Sequence, residues 1–77
     1  MTSIGDMRET FWTLHGSGTW VLPNPWDIGS ARMLQGLGFK ALASTSSGFA
    51  WSQARPDNGI SRDMALEHLA ALVAATD

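Results

Sequence analysis

The stretch that decides the fold is GFKALASTSSGFAWSQARPDNGIS, residues 38–61. It opens with Gly38, a residue type that commonly ends a helix. The apolar run Phe39 to Ala43 follows, and its lack of alternation predicts a short strand covered on both faces. From Ser44 the sequence turns polar and predicts a long loop that reaches Ser61. In parallel α/β folds the chemistry lies where a strand end opens into such a loop, so this loop is the first candidate for function.

Upstream of this stretch, the sequence predicts a helix, a strand and a second helix. Asp6 is a candidate cap for a helix to about His15, whose inner face would hold Met7, Phe11 and Leu14. The apolar run Thr19–Leu22, ended by two prolines, predicts a short buried strand. Asp27 is a candidate cap for the second helix, which would end near Leu37.

Downstream of the loop, Ser61 is a candidate cap for a third helix. Its predicted apolar stripe consists of Leu66, Leu69 and Val73. The predicted order is therefore helix, strand, helix, strand, helix, which indicates an α/β fold of parallel βα units. Two parallel strands do not make a stable sheet. We therefore expect residues 1–77 to be a single partial domain, the N-terminal third of a (β/α)8 TIM barrel of roughly 250 residues.

Composition narrows the possible functions. The 77 residues contain no cysteine, so neither a disulfide nor a thiolate nucleophile is available. The five cationic side chains are spread along a chain of net charge −2, which argues against a nucleic-acid partner. No window resembles a signal peptide or a membrane span. The expectation is a cytoplasmic protein with no membrane partner.

Two groups in the predicted loop are candidates for binding, and each has a plainer structural explanation. Thr45, Ser46, Ser47 and Gly48 could bind an anion through backbone N–H groups and hydroxyls, or could simply satisfy their own turn. Asp57 could orient water bound to Mg²⁺, or could belong to an Asp-Asn-Gly turn.

Other polar residues are weaker candidates. Asn24 and Asp27 follow the first predicted strand, but helix capping explains Asp27 well enough. Arg55 could pair with a substrate carboxylate, although an arginine in an exposed loop is more often solvated. His15 and His68 are expected far from the strand ends, His68 on the flank opposite the apolar stripe, so a Ser-His-Asp triad has no support.

Three segments together resemble one known family. They are VLPNPWDIGSAR at residues 21–32, GFKALASTSSGFA at residues 38–50 and Arg55-Pro56-Asp57, in this order and spacing. They resemble the isocitrate lyase/phosphoenolpyruvate mutase family, and the resemblance runs from about Phe11 to Asp77. It implies a barrel that binds Mg²⁺ and a small α-keto or α-hydroxy acid and that makes or breaks a C–C or P–C bond.

The resemblance also implies roles for particular residues. Thr45, Ser46, Ser47 and Gly48 correspond to the segment that holds the substrate carboxylate, and Asp57 to an aspartate that supports the metal through bound water. The main metal carboxylates would lie beyond Asp77, so this chain would lack a complete active site and its catalytic residues stay unknown. The full-length parent is expected to be a homo-oligomer. The alternative is a catalytically inactive truncated product, or a module that docks on a partner through an uncovered strand edge.

Overall fold

A computed structural model describes residues 3–76, which form four helices joined by non-helical segments. The helices are α1 (Ile4–Leu14), α2 (Ile28–Gly36), α3 (Ser46–Ser52) and α4 (Arg62–Ala75). No regular β-strand is present in this part of the chain. The three predicted helices are therefore confirmed in position, whereas the two predicted strands and the predicted long loop need correction.

Helix α1 starts one turn earlier than predicted. Ser3 is its N-cap, and its Oγ accepts a hydrogen bond of 3.1 Å from the backbone N–H of Asp6. Asp6 is therefore not the cap. Its carboxylate lies in the first turn, where its negative charge interacts favourably with the helix dipole. Phe11 makes edge-to-face contacts with His15 and with Trp20, at centroid distances of 4.7 and 5.9 Å. These contacts hold the end of α1 against the segment that follows it.

Helix α2 agrees with its prediction at both ends. Asp27 caps it by accepting a 2.7 Å hydrogen bond from the N–H of Ser30, and the Ser30 hydroxyl in turn accepts from the N–H of Asp27. At the other end Gly38 has φ +100°, and the N–H of Phe39 reaches the carbonyl of Leu34. This is a Schellman ending, in which glycine takes the left-handed position at little cost.

Helix α4 begins as predicted but buries a different face. Ser61 caps it through a hydrogen bond from the N–H of Met64 to the Ser61 Oγ. The predicted stripe is wrong, because Leu66, Leu69 and Val73 are exposed whereas Leu72 is 7% exposed. Helix α4 carries alanines on several sides, so the spacing of its apolar residues does not select one face for burial. The face is instead set by packing of α4 against α2.

The two predicted strands, at 19–22 and 39–43, are non-helical segments that meet at one point. The N–H of Ala43 donates to the carbonyl of Pro23 at 3.0 Å. A parallel or antiparallel ladder would return a bond to the Ala43 carbonyl from the N–H of residue 25 or 23. Both residues are prolines and have no N–H. The side-chain amide of Asn24 donates to that carbonyl instead, at 2.9 Å, so the ladder is not completed at this point.

The predicted loop from Ser44 to Ser61 contains a helix, α3, which corrects the prediction. Thr45 caps it, and its Oγ1 accepts from the N–H of Gly48 at 3.1 Å. The helix ends in a second Schellman motif: the N–H of Arg55 reaches the carbonyl of Ala50, and Ala54 has φ +57°. A Ser-Ser-Gly start resembles a turn in sequence, and an alanine at the left-handed position hides the helix end.

Little of the chain is fully enclosed. The buried apolar residues are Ala31 of α2, Ala50 of α3, Leu72 of α4 and Pro25 in the segment before α2. Large apolar side chains remain open to solvent in every helix, with Trp12 82% and Trp51 66% exposed. An exposed apolar surface of this kind is typical of a face that another polypeptide segment covers. No helix in residues 3–76 has the length and apolar character to cross a membrane.

Candidate functional site

One small cavity brings together three of the predicted site residues. Thr45, Ser46 and Asp57 all line a cavity of about 180 Å³, where Asn58 and His68 are also found. Ser46 lies at the start of α3 and Asp57 in the loop that precedes α4. The chain therefore turns back after α3 and brings Asp57 to the same cavity as Ser46. Ser47 and Gly48 do not line this cavity.

Thr45 and Gly48 have structural tasks at the start of α3. The Thr45 hydroxyl caps the helix and lies 3.3 Å from the Ser47 hydroxyl. A Cβ added at Gly48 would lie 2.6 Å from Cγ2 of Thr45 and 3.2 Å from Cβ of Trp26. Glycine is therefore required at position 48 so that α3 can pack against Trp26. The side chains of Ser46 and its neighbour Ser44 make no hydrogen bond within residues 3–76, so both hydroxyls at the cavity wall are available for a ligand.

Asp57 lies in a tight turn that leaves most of its carboxylate available. The N–H of Asn58 donates to Asp57 Oδ1 at 3.1 Å, and the N–H of Gly59 donates to the carbonyl of Pro56 at 2.9 Å. An ionised carboxylate has about four acceptor sites. Turn formation and ligand binding are therefore compatible at Asp57. Arg55 supports the turn by donating to the Gly59 carbonyl at 3.2 Å, which gives this arginine a structural task.

His68 is the cavity residue that the sequence interpretation missed. Its ring stacks on Phe49 of α3 at a centroid distance of 3.8 Å and an interplanar angle of 11°. Its Nε2 is buried and has no hydrogen-bond partner within residues 3–76. The prediction that His68 lies away from the site is wrong, because α4 buries the face that holds Leu72. The spacing of four residues between His68 and Leu72 was the available signal.

The surroundings of His68 favour its neutral form. Burial lowers the pKa of His68, and the nearby Asp27 carboxylate partly opposes this by favouring the charged ring. The pKa of Asp27 is itself lowered, first by the hydrogen bonds from the backbone and the side chain of Ser30 and then by His68. A neutral imidazole can donate or accept a proton at the cavity wall.

The weaker candidates have structural partners outside this cavity. Asn24 uses its amide to bind the Ala43 carbonyl, and Asp27 caps α2. His15 directs Nδ1 to the carbonyl of Phe11 at 2.7 Å and contacts Trp20 at 5.0 Å between ring centroids. These residues hold the fold together, and none of them lines the cavity of Thr45 and Asp57.

The residues that the structure describes do not by themselves make a metal site. In the described part, residues 3–76, no three histidine or acidic side chains are grouped so that they could hold a metal ion. Asp57 is the acidic residue of the cavity. A directly coordinated Mg²⁺ usually needs one or two carboxylates besides waters and substrate oxygens.

Comparison with known proteins places this chain in a family. The sequence profile named Phosphoenolpyruvate phosphomutase matches residues 11–77. The chain belongs to this family. The predicted resemblance to the isocitrate lyase/phosphoenolpyruvate mutase family is thereby confirmed.

A solved structure in the same group supports the assignment. The chain is similar to the crystal structure of a "putative lyase/mutase" from Burkholderia cenocepacia J2315, with a TM-score of 0.82 and 54% sequence identity. The match covers 87% of this chain and 24% of the Burkholderia chain, so the family member described here spans about a quarter of that relative. A search of curated proteins finds no match.

Proposed function

We propose that residues 1–77 form the N-terminal part of a (β/α)8 barrel in an Mg²⁺-dependent lyase or mutase. The parent enzyme would make or break a C–C or P–C bond in a small α-keto or α-hydroxy acid. The observation that supports this proposal is the shared cavity of Thr45, Ser46 and Asp57, two parts of the chain that by resemblance would have substrate and metal roles.

On the substrate side, Thr45 to Gly48 would hold the carboxylate group. Ser46 offers a hydroxyl with no hydrogen-bond partner among residues 3–76, and it lines the cavity. Thr45 and Gly48 would act by shaping the start of α3, because the cap and the close contact with Trp26 fix that backbone. Ser47 would contribute through its hydroxyl, 3.3 Å from that of Thr45.

On the metal side, Asp57 would contact Mg²⁺ through bound water. Mg²⁺ gives up its waters reluctantly, and carboxylates that bind those waters orient the ion. The bound ion would supply charge stabilisation for an enolate. Its direct carboxylate ligands would come from parts of the parent polypeptide other than residues 3–76, because the described residues offer no such group. We also expect the parent to be a cytoplasmic homo-oligomer.

A chimera tests the proposal directly. Residues 11–77 replace the matching segment of the Burkholderia relative, and the purified protein is assayed with Mg²⁺ against isocitrate, 2-methylisocitrate, oxaloacetate and phosphoenolpyruvate. We expect turnover of one of these acids that disappears with a chelator. In that chimera, Ser46→Ala should raise KM and Asp57→Asn should lower kcat, each by about tenfold or more, as for lost groups that bind substrate or position a metal.

The matched control is Asp63→Asn, a carboxylate removed from the first turn of α4 outside the cavity. It should leave both constants within about twofold. Equal losses from Asp57→Asn and Asp63→Asn would contradict a metal role for Asp57. A folded chimera with no turnover on the whole substrate set would contradict the enzyme proposal.

The second candidate is a catalytically inactive product that docks on a partner. It is favoured by the large apolar side chains that stay open to solvent, among them Val73 at 73% and Leu37 at 71% exposed. The two candidates separate in the chimera, because a docking module restores the fold of the chimera without restoring turnover.

A further inference from the structure

Ala54 and Asn58 are the residues other than glycine that have a positive φ in the described part of the chain. Ala54, at φ +57°, closes α3, where the N–H of Arg55 reaches the carbonyl of Ala50. Asn58, at φ +70°, lines the cavity of the candidate site, and Ala54 does not. Left-handed backbone is uncommon for a residue with a side chain, and it clusters at functional sites. Helix termination accounts for Ala54, so Asn58 is the instance that needs another reason.

The turn of residues 56–59 requires the backbone of Asn58 but not its side chain. The N–H of Gly59 donates to the carbonyl of Pro56 at 2.9 Å, which closes a four-residue turn with Asn58 at its third position. Where that position has a positive φ, glycine is the usual residue and asparagine the next. The Asn58 side-chain amide makes no hydrogen bond to another residue within 3–76. Glycine would therefore satisfy the turn, and the Asn58 amide is left for another task.

Other polar side chains without a partner converge on the same cavity. Ser44 and Ser46 line it, and neither side chain is hydrogen-bonded within residues 3–76. Asn58 and Asp57 line it from the turn before α4. Apolar side chains complete the wall, among them Phe49, Ile60 and Leu69. A small cavity with apolar walls and a few convergent polar groups is the usual form of a site for a small molecule.

The Asn58 amide suits a ligand oxygen that accepts a hydrogen bond. The described residues that line the cavity include no lysine or arginine. An anionic acid bound there therefore depends on neutral donors such as the serine hydroxyls and the Asn58 amide. The Asn58 Nδ2 carries two N–H donors, whereas the ionised carboxylate of Asp57 can only accept. Asn58 is thus the residue of this turn whose side chain can donate to the acid.

We propose that Asn58 is a further substrate-binding residue: its Nδ2–H donates a hydrogen bond to the keto or hydroxy oxygen of the bound acid. The carboxylate of the acid is then held from the other wall, at the start of α3. The inference rests on the proposed function, because it takes the ligand and the place of its carboxylate from there. A site that hydrogen-bonds a polar group of its substrate discriminates against an analogue without that group. Asn58 would therefore contribute to the choice of substrate.

The first measurement follows the Asn58 side chain itself. The chimera that carries residues 11–77 is ¹⁵N-labelled and titrated with pyruvate in the presence of Mg²⁺. The Asn58 side-chain amide signal is identified as the one that Asn58→Gly removes, and we expect it to shift and to saturate with pyruvate. The Asn24 side-chain amide is the matched control and should not shift, because it donates to the Ala43 carbonyl and does not line the cavity. An Asn58 signal that stays in place, or the absence of pyruvate binding, would overturn the inference.

Substitutions separate a contact with the ligand from a role in the turn. Asn58→Gly keeps the positive φ and removes the amide, so the Kd for pyruvate should rise about three- to tenfold. Asn58→Asp keeps the shape but replaces the donors with a second negative charge beside Asp57, so it should raise the Kd further. Ala54→Gly changes the positive-φ residue outside the cavity, and it should alter the Kd less than twofold. Pyruvate binding by Asn58→Asp as tight as without the substitution would overturn the inference, as would equal losses from Asn58→Gly and Ala54→Gly.

Circular dichroism checks that each protein is folded. If the chimera is unfolded, the same titration of the ¹⁵N-labelled 77-residue chain decides, because Asn24 and Asn58 are its only asparagines and give the same pair of signals. A saturable shift of the Asn58 signal alone supports the inference, and an unmoved Asn58 signal contradicts it.

Turnover separates this inference from the proposed function. A saturable shift at Asn58 in a folded chimera without turnover supports the Asn58 contact and contradicts the enzyme. Turnover with a stationary Asn58 signal does the reverse. In an active chimera Asn58→Gly should raise KM about three- to tenfold, whereas Asp57→Asn acts on kcat.

Discussion

Helices α2 and α3 are built to the same plan, but they differ in the residue at one position. Both start with a side-chain oxygen that accepts a backbone N–H, from Asp27 in α2 and from Thr45 in α3. Both end in a Schellman motif, with Gly38 at the left-handed position of α2 and Ala54 at that of α3. Helix α2 packs on α4, and α3 carries the candidate site. The comparison teaches that backbone strain is found beside the candidate site and not in the packed pair.

The largest expected effect concerns what the α3 region can do without the rest of a parent. The 77-residue chain alone should show no turnover with isocitrate, 2-methylisocitrate, oxaloacetate or phosphoenolpyruvate in the presence of Mg²⁺. Enolate chemistry of this kind needs a directly held cation, and residues 3–76 offer no group of metal ligands. Steady-state assays beside a metal-only control measure this. Turnover well above that control from a cooperatively folded monomer would show that the active site is here.

The next prediction concerns the packing of α4 against α2. In the chimera that carries residues 11–77, Leu72→Ala should lower the free energy of unfolding by about 2–5 kcal/mol, because it removes a buried side chain and leaves a cavity. Urea unfolding measures the change. Val73→Ala, at a residue 73% exposed, is the control and should cost about 0.5 kcal/mol or less. Equal costs would mean that α4 is packed on another face in the chimera.

A smaller effect is the pH dependence contributed by His68, which joins α4 to α3. Burial lowers its pKa from the ordinary value of 6.5, so below about pH 6.5 the unfolded state takes up a proton that the folded state resists. Stability should therefore be full above that pH and fall as the pH drops toward the folded pKa. His68→Phe should remove this part of the dependence while keeping an aromatic contact with Phe49.

Thermal unfolding of the chimera at about pH 7.5 and about pH 5.5 measures the His68 effect. Asp27 is the necessary comparison, because its lowered pKa acts in a separate window: its contribution is present above the ordinary value of 3.8 and is lost as the pH falls through the folded value. An unchanged pH dependence in His68→Phe would show that His68 is not buried in solution.

The smallest effect exchanges the residues that distinguish the two helix ends. Ala54→Gly should stabilise the chimera by about 0.5–1 kcal/mol, because it relieves a left-handed alanine at φ +57°. Gly38→Ala, at φ +100°, should destabilise by about 1 kcal/mol or more. Ala70→Gly, in the middle of α4, is the control and should also destabilise, by about 1 kcal/mol. Destabilisation by Ala54→Gly would mean that position 54 is not left-handed.

Capping patterns allowed much of the helical fold to be predicted. Asp27 and Ser61 both lie where a cap was expected, and Gly38 takes the positive φ that its position requires. Short-range hydrogen bonds of this type depend on three or four consecutive residues, so they can be inferred without knowledge of the tertiary structure. Membership of the family could also be predicted, because the order of three segments is more specific than any one of them.

The errors fall where distant residues decide the outcome. The predicted strands at 19–22 and 39–43 needed paired backbone groups, but the backbone bond that joins these parts of the described chain is the one from Ala43 to Pro23, next to two residues that lack an N–H. The buried face of α4 depends on its packing against α2, which cannot be inferred from the apolar residues of α4 alone. The burial of His68 follows from that face. The substrate and metal roles of Ser46 and Asp57 stay predictions that the chimera tests.

The two prolines beside Asn24 have a further consequence for how the candidate site can vary. Beyond Ala43, the neighbouring segment offers no backbone donor from residue 23 or residue 25, so hydrogen bonding between the segments stops there. The pairing therefore ends at Ala43, and Thr45, two residues later, caps α3. Gly48 and Ala50 of α3 are packed, but changes of length in the turn from Arg55 to Gly59 then leave the register of the preceding segment unaffected. The fold therefore separates a segment held by hydrogen bonds to its neighbour from a turn that can change length without shifting that segment.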